Sequence, residues 1–186
     1  MSHALREPLV GRVGERPFRG IYAVVSLLTF GAMVYFYHAI GREPERLWDA
    51  TGDAAWIVAS LLMWFASILF VGSFIKNPAF PGAPGPKGGP TGVFAITRHP
   101  MMWGFAIWAA VHLMANGDTR GTVFFASILA YSLVDLVSAV QRHATKLFAP
   151  TARHDAIAVA AGIVASLAVM ALHRVLFGAA VVSWGF

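Results

Sequence analysis

The 186-residue chain has no cysteine. That absence excludes a disulfide framework, a thiol nucleophile, an iron–sulfur cluster and a haem attached covalently through a CxxC pair. Charge is the second scarcity. Asp, Glu, Lys and Arg make up 12% of the residues against 58% apolar ones, where a soluble domain carries about 25% charge. With a mean hydropathy of +0.65, neither an ordinary soluble fold nor a disordered chain fits. No HExxH or Gly-x-Ser-x-Gly motif occurs, and no pair of carboxylates sits deep in an apolar run, so hydrolase chemistry has no visible basis. The 14 Lys and Arg that give a net charge of +5 are scattered, without the dense run that nucleic acid requires. The first 19 residues are basic but lack the apolar centre of a signal peptide.

What is present in quantity is long apolar runs. A bilayer core of about 30 Å takes about 20 residues of helix. Five stretches meet or approach that length: about 20–40, 54–75, 101–115, 122–140 and 157–177. Length argues for one domain over 1–186, so the expected architecture is all-α, a polytopic transmembrane bundle of about five helices in contact with membrane lipid. Between the second and third runs, the segment 76–92 holds five Pro and five Gly, which exclude regular helix; it reads as a linker rather than a phosphate loop. Counted by alternate connections, ten Lys and Arg fall on one side and four on the other. The positive-inside rule then places the N-terminus in the cytoplasm of a bacterial inner membrane and the C-terminus outside.

Seven histidines carry most of the chemical information. His38, His112 and His173 each lie near the outer end of a span running in the same direction, so topology puts three imidazoles at a similar depth. Imidazole binds iron, copper and zinc well, and polar side chains inside a membrane normally face the bundle interior. Small residues share their stripes: Gly104, Trp108 and His112 follow at i, i+4, i+8, Gly162 and Ser166 precede His173, and Gly31 precedes His38. A flat ligand approaching the backbone at Gly104 and stacking near Trp108 is one consequence; plain helix packing, with each His bonded at the interface, is the other. Arg98, His99 and Pro100 open the third span, where free helix amides and two cationic side chains make a candidate anion site or a simple anchor. Asn116, Gly117 and Asp118 close it as a turn, with Asn116 and Asp118 placed to orient His112. Asp135, alone in the fourth span, calls for a basic or hydroxyl partner such as Arg98 or Arg142.

These residues carry a resemblance. Val13–Tyr22 (Val-Gly-Glu-Arg-Pro-Phe-Arg-Gly-Ile-Tyr), Leu47-Trp48, Ile96–Phe105 (Ile-Thr-Arg-His-Pro-Met-Met-Trp-Gly-Phe) with Trp108, His112, Asn116 and Asp118, and the closing His173-Arg-Val-Leu-Phe-Gly resemble the NnrU family. The pattern is similar to 15-cis-zeta-carotene isomerase of the same superfamily. The likeness covers most of the chain, and the Thr-Arg-His-Pro…His block is its specific part. It implies a small polytopic membrane protein associated by name with nitrite and nitric oxide metabolism, or an isomerase that carries haem b and acts on a hydrophobic polyene. It implies that the His matching His112 is an axial ligand of the iron. The isomerase's alternative Cys ligand, three residues earlier, is Ala109 here. Its second axial His lies in a helix upstream of Ser2–Arg6. That leaves a missing first helix, another residue such as His38 or His173 in the role, or no haem. Arg98-His99-Pro100 with Gly104 also resembles isoprenylcysteine methyltransferase-like enzymes, but their C-terminal Glu pair has no match, since no Glu follows Glu45.

Overall fold

The computed structural model describes residues 3–41, 46–48, 52–75, 93–97, 99–142, 152–179 and 181. All regular structure among them is helical: α1 (His3–Val13), α2 (Glu15–Ile40), α3 (Asp53–Gly72), α4 (Val93–Ile96), α5 (Pro100–Ala115), α6 (Thr119–Arg142) and α7 (Ala152–Phe177). The helices α2, α3, α6 and α7 are long and apolar enough to cross a membrane, and α5 is a shorter apolar one. The five expected apolar runs fall on these five helices; α3 ends at Gly72, three residues before the expected 75, and the other four begin earlier than expected. The segment 76–92 lies outside the described residues, as does Arg98.

α1 was not visible as a helix in the sequence, because Pro8 interrupts it and it has no apolar stripe. Gly14, at φ 85°, then turns the chain into α2. The Arg6 guanidinium reaches Glu15 at 2.7 Å, and Arg19 reaches the same carboxylate at 2.9 Å.

The helices pack in the spatial order α2, α6, α5, α3, α7. Small residues set the closest approaches. A Cβ on Gly104 would stand 3.0 Å from the Ala66 carbonyl oxygen and 3.1 Å from Phe70 Cβ, and one on Gly162 would collide with the Ile68 backbone. With Gly72 against Ala158 as well, α5 and α7 both run antiparallel to α3. Lipid tails leave no hydrophobic force between spans, so such backbone approaches, with their dispersion contacts, hold the bundle together. Of the two readings of the Gly104 stripe, the structure shows helix packing at Gly104 itself, against Ala66 and Phe70 of α3.

The core cluster of Leu69, Val93, Phe94 and Ala158 sits at the end of α3 where α4 plugs in. Elsewhere large apolar side chains face outwards, among them Leu27 and Leu28 of α2 and Val175 of α7. A water-soluble protein does not leave surfaces of this extent uncovered; in a bilayer they are the lipid face.

Candidate functional site

At the end of the bundle opposite that cluster, α5 stops early. Its 16 residues span about 24 Å, less than a bilayer core, and leave its last carbonyls in need of donors. The segment before α3 supplies them. The Trp48 indole Nε1 donates to the Leu113 and Met114 carbonyls, 3.2 Å from each, and the Leu47 amide donates to the Gly117 carbonyl at 2.7 Å. Any Cβ at Gly117 would overlap the Trp48 carbonyl, so glycine is required there by contact. Asn116 Nδ2 donates to the His112 carbonyl at 2.7 Å.

His112 sits one turn inside this end. Its Nδ1 lies 2.9 Å from the Trp108 carbonyl oxygen. A carbonyl only accepts, so Nδ1 carries the proton and Nε2 keeps its lone pair. The ring packs between Trp108, at 4.7 Å centroid to centroid, and Phe125 of α6, at 5.1 Å.

His173 comes to the same place from α7. Gly178, at φ 69°, ends the helix with its amide on the Arg174 carbonyl at 2.9 Å. That left-handed residue returns the next carbonyl, of Ala179, to within 2.6 Å of His173 Nδ1. The same tautomer follows: Nδ1–H donates and Nε2 keeps its lone pair. The His112 and His173 ring centroids are 6.4 Å apart with planes inclined by 28°.

The third imidazole does not join them. The His38 side chain is exposed and rests edge-on against Tyr37 at 5.7 Å. Tyr37, beside His38, lies with His112 and His173 at one end of the bundle, and helix rotation separates His38 from the pair. Asn116 and Asp118 also differ from expectation in detail. The acceptor for His112 Nδ1 is the Trp108 carbonyl rather than Asn116. Asp118 caps α6, its carboxylate accepting from the Gly121 amide at 2.6 Å, and does not touch His112. Pro100 is buried in the first turn of α5, and the His99 amide donates to Thr97 Oγ1 at 3.3 Å. With Arg98 outside the described residues, the anion-site expectation has no geometry to report.

Phe125, Ala179, Arg120 and Tyr37 were not singled out in the sequence as parts of this site, and Gly178 entered only as the last residue of the closing motif. Phe125 is a plain apolar position of α6 whose role depends on rotation. Gly178 and Ala179 follow a helix end in a Gly signal that reads only as a cap. Arg120 and Tyr37 brace α6 to α2: the guanidinium lies 4.2 Å from the Tyr37 ring centroid, donates to the Tyr37 carbonyl at 3.0 Å and stands 4.0 Å from Asp118. Deeper along the same interface, Tyr131 is hydrogen-bonded to the Tyr22 side chain and lies in the field of Asp135, so the lone carboxylate of α6 has a hydroxyl neighbour.

The sequence has relatives among known proteins. A model of the NnrU protein family matches residues 1–181. The chain belongs to the NnrU family. It is also similar to two curated proteins named 15-cis-zeta-carotene isomerase, chloroplastic. One, from Arabidopsis thaliana, is 29% identical over 65% of this chain and 34% of its own length. The other, from Zea mays, is 30% identical over 70% of this chain and 36% of its own. The chain thus spans about a third of the length of these curated relatives. No solved structure matches it. The NnrU family assignment agrees with the resemblance read from the Thr97–Pro100 block, and its membrane character agrees with the lipid-facing helices.

Proposed function

We propose that this NnrU protein is a membrane-embedded isomerase-like enzyme that rotates a double bond in a hydrophobic polyene at a haem iron held by His112. The observation that carries the reading is the donor set. Two imidazoles converge, each Nε2 keeping its lone pair, and among the described residues no group of three His, Cys, Asp or Glu could complete a metal site. A tetrahedral zinc site needs three or four protein ligands. Two imidazoles without a third donor suit a metal that brings its own equatorial ligands, as haem does. The residues therefore fit the group that the family resemblance implies.

When bound, haem would supply an iron able to share an electron reversibly with a conjugated chain, which lowers the order of one double bond. The protein's part is local. Trp108 and Phe125 wall the His112 ring with apolar surface, the Trp108 carbonyl fixes its tautomer, and the Trp48 segment ties down the backbone beyond it. The lipid-exposed faces of α5 and α7 give a polyene dissolved in the bilayer a way in without crossing water. Atoms and electrons balance, since substrate and product are isomers.

The test incubates haem-loaded protein in liposomes with a cis-configured polyene and follows the product by chromatography. Conversion to the trans isomer that disappears in His112→Ala supports the reading. Binding of nitric oxide without any isomerisation would move the function to the nitric oxide chemistry that the family resemblance implies.

A further inference from the structure

We propose that the cleft between α2 and α6 binds a quinol from the membrane: a six-membered ring with a hydroxyl on each of two opposite carbons, carried on an apolar tail. The site is separate from the histidine pair and does not depend on haem.

Two levels of contact join α2 to α6. Halfway along α6, and so at hydrocarbon depth, the Tyr131 side chain is hydrogen-bonded to Tyr22, with Asp135 one turn further on. Towards the histidine end the Tyr37 ring packs on Phe124 at 4.8 Å, and the Tyr37 carbonyl accepts from Arg120 at 3.0 Å. These contacts fix the rotation of both helices. Tyr22, Ser26, Thr29, Met33 and Tyr37 follow at i, i+4, i+7, i+11 and i+15 along one stripe of α2. Arg120, Phe124, Ser127 and Tyr131 follow at i, i+4, i+7 and i+11 along one stripe of α6. Each stripe touches the other helix at both its ends, so Ser26, Thr29 and Ser127 face the space between. The helices do not close that space: residues 20–32 of α2 are exposed throughout, and so are Ser127 and Tyr131.

Polar side chains at this depth normally turn into a bundle. Here they collect along an open cleft, while Leu27 and Leu28 of α2 and Leu133 and Val134 of α6 present apolar surface to lipid. Ser and Thr hydroxyls bonded to their own helix need no further partner. That accounts for their protons; it does not account for their alignment across from each other beside a carboxylate. The proton inventory selects the ligand. Thr29 Oγ1 donates to the Val25 carbonyl at 2.8 Å, and Ser127 Oγ donates to the Val123 carbonyl at 2.6 Å. Each oxygen keeps lone pairs and has no proton left to offer. An ionised Asp135 also only accepts. The cleft therefore calls for a ligand that donates at two levels. Ser127 and Tyr131 are one turn apart, about 5–6 Å, a spacing that suits two oxygens on opposite sides of a six-membered ring. A quinol gives one hydroxyl to the level of Ser127 and Thr29 and the other to the level of Tyr131 and Asp135. The oxidised quinone has no proton to donate and satisfies these acceptors less well.

The experiment places the full chain in phosphatidylcholine nanodiscs and titrates it anaerobically with decylubiquinol by calorimetry, with protein-free nanodiscs titrated in parallel. The wild type is expected to add saturable binding of one quinol per chain to the uptake by lipid alone. Thr29→Val and Ser127→Ala, both at exposed positions, should each weaken that binding about three- to tenfold, the loss of one hydrogen bond. Leu133→Ala, on the opposite face of α6, should bind as the wild type does. Decylubiquinone should bind at least about threefold more weakly than decylubiquinol, by the same hydrogen-bond argument. Uptake no greater than that of empty nanodiscs overturns the proposal. So does saturable binding that Thr29→Val and Ser127→Ala leave unchanged, and so does decylubiquinone binding as tightly as decylubiquinol. A chain that binds decylubiquinol but no haem supports this proposal and overturns the His112 reading; one that binds haem but no decylubiquinol does the reverse.

Discussion

Trp108 and His112 are locked within a single helix: the Trp108 carbonyl holds the His112 Nδ1 at 2.9 Å, one turn away. The tautomer of His112 is therefore a property of α5 itself. His173 has no such local anchor. Its Nδ1 acceptor lies six residues on, beyond the helix end, and reaches it only through the turn at Gly178. One imidazole is fixed by regular helix and the other by a helix cap.

That difference predicts unequal sensitivity. Gly178→Val forces a β-branched residue into a left-handed conformation, a strain of about 1–3 kcal/mol. The cap should open and release the Ala179 carbonyl from His173. Amide hydrogen exchange should rise over 174–179 and stay at wild-type levels over 104–112. Equal loosening of both segments would show that the two rings share one scaffold.

The α3 interfaces predict a second contrast. Gly162→Val and Gly104→Val place side-chain atoms where Ile68 and Ala66 already stand, and overpacking of this kind costs about 1–3 kcal/mol. Gly31→Ala, on the lipid face of α2 with open space around it, should be neutral or slightly stabilising. Thermal unfolding in one detergent compares the three. A Gly31→Ala variant as damaged as Gly162→Val would contradict the packing order.

Much of this fold was legible because its signals are lengthwise. The apolar runs of α2, α3 and α7 are long, and a bilayer needs that length, so the presence of membrane-length helices followed from the sequence. The placement of His38, His112 and His173 at one end of the bundle followed too. Rotation about the helix axis did not. All five spans are apolar nearly all round, so no polar face marks the interior, and the exposure of His38 and the contact of Phe125 with His112 emerge only from packing. Gly104 shows the same limit: its small size is compatible with both a flat ligand and a neighbouring helix, and only packing shows that α3 approaches it. Asp118 was ambiguous because a carboxylate after Asn-Gly suits both a helix cap and support for a histidine, and the nearby Gly121 amide decided it.

Trp48 yields a third prediction. Trp48→Phe keeps the ring and removes the indole N–H from the Leu113 and Met114 carbonyls, a loss of about 1 kcal/mol. Gly117→Ala should cost more, since its Cβ overlaps the Trp48 backbone. Chemical denaturation of the two variants checks the order; Trp48→Phe as the worse of the two would show that the indole bond, not backbone contact, holds the segment.

Asp135 and Tyr131 supply a fourth. Because the carboxylate acts on a hydroxyl already bonded to Tyr22, Asp135→Asn and Tyr131→Phe should not add. A double-mutant cycle is expected to give a coupling of about 0.5 kcal/mol or more. Strict additivity would mean that Asp135 is supported by other groups.

Orientation is the fifth. The ten-to-four distribution of Lys and Arg predicts that a reporter fused at Gly85 is cytoplasmic and one after Phe186 is outside. The reverse pattern would put the histidine end on the cytoplasmic side.

The central claim is that His112 holds a haem iron, and the absorption spectrum of the purified protein after haem titration tests it most directly. The wild type should show a saturable Soret band at one haem per chain. His112→Ala should insert into the membrane and accumulate as the wild type does, and show no such band. A Soret band of unchanged position and stoichiometry in His112→Ala would contradict the claim.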